Sequence, residues 1–176
     1  MPRLVSQLLV LAVVFLTLGA CASTGLQPQT GDVSFRLRWS GEADLDLHVL
    51  DPNERHTGVP LGLNDPDPGA FIRAAKEMAA RDSEDPDAPK GILDVDCNAS
   101  PDAMCPRPIE NVFWPVGTAP DGRYEVWIHL FQKLGDDTQV PFTLEVRRGE
   151  RVVETFRGQV SDDSRHSARY VYRYSD

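Results

Sequence analysis

The chain has 176 residues, with 18 Lys and Arg against 27 Asp and Glu and a formal net charge of −9. A hydrophobic fraction of 41% is enough for one packed core, which excludes a wholly disordered chain. The acidity excludes a nucleic-acid partner and charge-driven docking on anionic lipid, because no basic stripe is available to meet phosphates.

The chain opens on an address. Arg3 precedes an apolar run of eleven residues, 8–18. A membrane-spanning helix needs about 20 such residues, so residues 1–20 read as an export signal. The run ends at Leu18-Gly19-Ala20-Cys21, which resembles the bacterial lipobox. That resemblance implies cleavage before Cys21 and acylation of the new N-terminus, palmitate included. Several acyl chains exceed the two signals that stable anchoring takes. Ala22 follows, where an Asp would signal retention in the inner membrane; the reading is an outer-membrane anchor. Residues 21–31 are small and polar and read as a flexible tether. Cleavage removes Arg3 and no acid, so the exported chain has 156 residues and a charge of −10.

From Val33 onward apolar and polar residues alternate with a period of two, the signature of half-buried strands. The predicted strands are 33–39, 44–49, 92–97, 122–130, 141–146, 151–156 and 168–174. Leu45, Leu47 and Val49 share one face of the second, with Asp44, Asp46 and His48 on the other. Tyr124, Val126, Ile128 and Leu130 form the inner face of the strongest. Arg148-Gly149-Glu150 reads as a hairpin turn. Residues 54–90 read as a long insertion, with five prolines, eight acids and one short helix at 71–81. The rest of 32–176 forms one domain. Its expected class is all-β, an antiparallel two-sheet sandwich of immunoglobulin-like or jelly-roll-like kind. Export places Cys97 and Cys105 in an oxidising compartment, where a disulfide is their default.

The acidic rows carry the candidate chemistry. Asp44 and Asp46 project from one strand face and Asp94 and Asp96 from another, with Asn98 in register. Asp is disfavoured in strands, and opposed carboxylates repel. If the strands are neighbours, a hard divalent cation resolves the repulsion, and Ca²⁺ suits oxygen ligands. Glu110 and Asn111, in the loop that follows, would complete the shell. His48 is then a neighbour and not a ligand. The alternative is that these acids face solvent, or pair with Arg36 or Arg123 at the surface. A zinc centre is set aside: His48 and His129 lie on separate strands, and no zinc motif is present. Trp127 and His129 share an outward strand face and are candidates for binding a glycan or peptide.

Four segments occur in order: Asp44-Leu45-Asp46-Leu47-His48-Val49 with Asp51-Pro52, Gly91-Ile92-Leu93-Asp94-Val95-Asp96, Ile109-Glu110-Asn111-Val112-Phe113-Trp114-Pro115, and Ala119-Pro120-Asp121-Gly122-Arg123-Tyr124-Glu125-Val126. Together they resemble the YfaP-like family of bacterial secreted domains, over roughly residues 33–156. The resemblance implies a β-sandwich and an envelope or extracellular location, and no established catalytic activity. The expected function is an envelope-anchored, non-enzymatic binding or interaction module steadied by Ca²⁺, with the membrane and an envelope protein or glycan as partners. The alternative is a metal-dependent envelope hydrolase acting on glycan or peptide through the Asp rows.

Overall fold

The computed structural model describes residues 27–58 and 90–176. Cys21, the expected export signal and the expected helix at 71–81 lie outside the described residues, as does most of the expected insertion. Among the described residues nine strands follow in chain order and no helix occurs: β1 (Val33–Trp39), β2 (Asp44–Leu50), β3 (His56–Thr57), β4 (Ile92–Asp96), β5 (Ile109–Trp114), β6 (Gly122–Gln132), β7 (Gln139–Arg148), β8 (Arg151–Ser161) and β9 (Tyr170–Tyr174). One sheet has the order β4-β5-β1-β7-β8 and the other β3-β2-β6-β9. Every pairing is antiparallel. The two sheets pack together as the antiparallel sandwich that the alternation predicts.

The alternation is the cause of this arrangement. Phe35 and Leu37 from β1 meet Leu45 and Leu47 from β2 and Tyr124, Val126, Ile128 and Leu130 from β6, all of them buried. Phe35 packs edge-on against Trp114, with centroids 6.1 Å apart, and lies 5.5 Å from Tyr124. Burying a side chain such as Phe35 contributes about 1.5–3 kcal/mol. The Tyr124 hydroxyl donates to the Pro120 carbonyl at 2.9 Å, so the polar tip of this core residue is satisfied at the corner before β6.

The seven predicted strands are present, several of them longer than the alternation indicated. Two more are added. Residues 109–114, taken as loop, form β5, which lies between β4 and β1. All six of its residues are buried, including Glu110 and Asn111. Two adjacent polar residues break the apolar–polar alternation that marks a strand, which hides it in the sequence. His56 and Thr57, taken as the start of the insertion, form β3 and pair with Val49 and Leu50 of β2. β7 and β8 form the expected hairpin, with Gly149 in the left-handed region at φ 54°.

The end of the expected tether is also held. The Arg36 guanidinium donates to the carbonyls of Pro28 and Gln29, and the Gly149 amide donates to the Gly31 carbonyl at 2.9 Å.

Candidate metal centre

β2 is paired along its length with β6 on one side, whereas β3 reaches only Val49 and Leu50 on the other. The uncovered edge of β2 meets β5, and the Leu47 amide donates to Glu110 Oε2. Glu110 is itself paired with Leu37 and with Asp96, so it is fully buried beside β2. This brings Asp44, Asp46, Asp96 and Glu110 into one electrostatic neighbourhood. Burial pushes the Glu110 carboxyl well above its ordinary value, and the charges of Asp46 and Asp96 push it further. Asp44 is pushed up to about 8 by burial, then by Asp46 and Asp96. Asp96 is raised by burial, opposed by its hydrogen bond with Glu110. Asp44 Oδ1, Asp96 Oδ1 and Glu110 Oε1 are buried oxygens with no donor. A proton or a cation is what such oxygens require.

On the face of β2 away from the core, cross-strand pairing sets Asp46 opposite His129 and His48 opposite Trp127. Asp46 Oδ2 lies 3.4 Å from His129 Nδ1. Asp46, His48 and His129 form a group able to hold a metal ion: one ligand atom from each lies within 4.8 Å of the others, and all three are buried. Around them stand the remaining two histidines of the chain. His48 Nδ1 is 3.0 Å from His56 Nε2. The rings of His129 and His166 stack with centroids 4.4 Å apart. Residues 165–167 run beside β6, tied by Leu130 N to Arg165 O and Ser167 N to Ile128 O, and this fixes His166 over His129. Burial, followed by His56, His129, His166 and Arg169, holds His48 well below the usual imidazole value, so its ring stays neutral.

The predicted calcium set is therefore divided. The expectation that Asp94 and Asp96 share a face is corrected. A bulge between Leu93 and Val95 leaves Asp94 out of the pairing, while Asp96 pairs with Glu110. Asp94 accepts from the Asn111 side-chain amide at 2.7 Å and from the Gln29 amide at 2.6 Å. These bonds pin the chain entry onto the sheet. Asn98 is spent on the loop that follows β4: it donates to the Gly41 and Ala43 carbonyls and accepts from the Cys105 amide. Asn111 bonds Arg36 and Gln29. Asp44, Asp46, Asp96 and Glu110 are near enough to shift one another's ionisation, but among the described residues only Asp46, with His48 and His129, belongs to a group whose ligand atoms lie within 4.8 Å of one another.

Neither solvation nor Arg pairing accounts for the β2 row. Asp44, Asp46 and His48 are buried at 2%, 1% and 0% exposure, not solvent-facing. Arg36 is engaged with Asn111, and Arg123 pairs with Glu125. His48 and His129, set aside because they lie on separate strands, do come together beside Asp46. β2 and β6 are hydrogen-bonded neighbours, and that adjacency is not encoded in local spacing. Trp127 stacks on His48 at 5.1 Å, and the Arg169 guanidinium lies 4.2 Å from its ring centroid. Cys97 and Cys105 form the expected disulfide, with Cα atoms 5.7 Å apart. A shallow cleft of about 380 Å³ lies over β1, β7 and β8, lined by Arg38, Trp39, Thr143 and Arg157 among others; none of the acids or histidines lines it.

Comparison with protein-family models, with curated proteins and with solved structures returned no match to this chain.

Proposed function

We propose that this chain is a lipid-anchored protein of the bacterial envelope whose sandwich is a non-enzymatic binding or interaction module steadied by a divalent cation. The ion in this reading is Ca²⁺, held by Asp44, Asp46, Asp96 and Glu110. The observation that carries it is the set of buried carboxylate oxygens without a donor on Asp44, Asp96 and Glu110. Hard oxygens of this kind match the ligand preference of Ca²⁺. Their burial beside the core favours a structural ion over a hydrolytic one, because a substrate must reach a catalytic ion. The lipobox at Cys21 supports the anchor, and the resemblance to YfaP-like domains supports the envelope location.

Calorimetric and melting titrations of the metal-free mature chain test the ion. An ion present at 100 times its Kd stabilises by about 2.7 kcal/mol, which raises the melting temperature of a domain this size by about 5–10 °C. No heat and no melting shift at millimolar Ca²⁺ would overturn the calcium reading. Labelling with a palmitate analogue tests the anchor: uptake in the intact protein and none in Cys21→Ala is expected, and label retained by the variant refutes it.

A further inference from the structure

We infer that Asp46, His48 and His129 form a second site, which shares Asp46 with the carboxylate set, for a borderline divalent transition ion of the zinc class that staples β2 to β6 on the outer face of the sandwich. Two observations carry it. Three ligand atoms, one per residue, lie within 4.8 Å of one another. In addition, His48 Nε2 and His129 Nε2 are buried ring nitrogens with no hydrogen-bond partner, on residues 0% and 3% exposed. A buried nitrogen of this kind needs either a donor or a Lewis acid.

The donor chemistry selects the ion. Imidazole is a ligand for zinc, copper, nickel and iron, whereas calcium takes oxygen. Two imidazoles with one carboxylate supply three of the four ligands of a tetrahedral zinc site. The surroundings fit the second requirement of such sites, neighbours that fix the orientation of each ligating ring. When His48 Nδ1 carries the proton and donates to His56 Nε2 at 3.0 Å, His48 Nε2 presents its lone pair. On the other side, the stacked His166 ring holds the plane of His129. His56 is thus a positioning residue for His48, and His166 for His129. The pairing of Asp46 with His129, two residue pairs along from His48 with Trp127, sets both imidazoles on the same face as the carboxylate.

This inference shares only Asp46 with the calcium reading, and one experiment separates the two. The mature chain, stripped with chelator, is titrated with Zn²⁺ and with Ca²⁺ while heat and melting are followed. Zn²⁺ is expected to bind one ion per chain. His48→Gln and His129→Gln are expected to abolish the Zn²⁺ response and keep the Ca²⁺ response. Asp44→Asn and Glu110→Gln are expected to keep the Zn²⁺ response. His56→Gln weakens Zn²⁺ by about tenfold or more, the usual loss for a partner of a ligating imidazole. X-ray absorption of the Zn²⁺-loaded intact chain reads the ligands without any variant. A shell containing two imidazoles is expected. An all-oxygen shell, Zn²⁺ binding undiminished in both histidine variants, or no Zn²⁺ binding by the intact chain would overturn the site. Failure of the Ca²⁺ arm alone leaves the site standing and removes the calcium reading.

Discussion

At the residue scale the acids of β2, β4 and β5 give the metal-free domain a distinctive pH dependence. Asp44 has a folded pKa of about 8 against an ordinary 3.8. Between those values the folded state keeps a proton that the unfolded chain releases, so this contribution to stability is full below 3.8 and is lost as pH rises toward about 8. Asp96 and Glu110 act in the same direction. His48 acts oppositely: its lowered value means that stability is lost as pH falls below 6.5, where the unfolded imidazole charges and the buried one does not. Above 6.5 the raised carboxyls alone drive the change. The melting temperature measured in chelator is therefore expected to fall from pH 6.5 to 8. Asp44→Asn should flatten that fall, and an identical slope in the variant would show that Asp44 is not its source. Glycines supply a second test at this scale, because two of them are constrained for different reasons. Gly149 has φ 54° and open space where a Cβ would stand. Gly149→Ala should cost about 1–2 kcal/mol, the left-handed penalty alone. At Gly31 an added Cβ would fall 1.8 Å from the Trp114 carbonyl oxygen. Gly31→Ala should then destabilise more than Gly149→Ala in chemical denaturation; equal losses would contradict the steric account.

At the element scale one extra residue decides which acids can meet. The bulge at Leu93–Val95 sends Asp94 to the network with Asn111 and Gln29, and Asp96 to Glu110. Asp94→Ala is therefore expected to loosen residues 28–31 and to leave ion binding unchanged. Faster amide exchange at Gln29 with an unaltered titration is the outcome to look for. A lost ion response would return Asp94 to the site. β5 shows the other side of the same physics. Its two interior polar residues face opposite ways: Asn111 joins the outer network with Arg36, and Glu110 reaches the open edge of β2. A strand that is buried on both faces does not advertise itself by alternation.

At the scale of the whole molecule the loop between β4 and β5 links the sheets. Asn98, held at φ 68°, donates to the carbonyls of Gly41 and Ala43 at the entry to β2. The Cys97–Cys105 bridge closes that loop. Closing so short a loop contributes about 2–3 kcal/mol. Replacing both cysteines by serine should lower the unfolding free energy by that amount in denaturant titration, and reductant should then have no further effect on the variant. A loss near zero would show that the Asn98 hydrogen bonds alone hold the link.

Much of this protein was legible in its residues. Period-two alternation placed β1, β2 and β6 and their inner faces, because burial of one sheet face demands it. The expectation of export predicted the pairing of the two cysteines. The charge of Asp44, Asp46, Asp94 and Asp96 was visible as a problem needing a solution. What local spacing does not carry is which strands become neighbours and how deep each face lies. His48 and His129 are 81 positions apart and meet only because β2 pairs with β6. Asp94 and Asp96 are two apart and separate only because the pairing with β5 contains a bulge. The sequence by itself determined the sandwich and the acidic residues it must accommodate. Only the tertiary structure decided that a carboxylate and two imidazoles share one buried corner, because register and strand adjacency are properties of the assembled sheets.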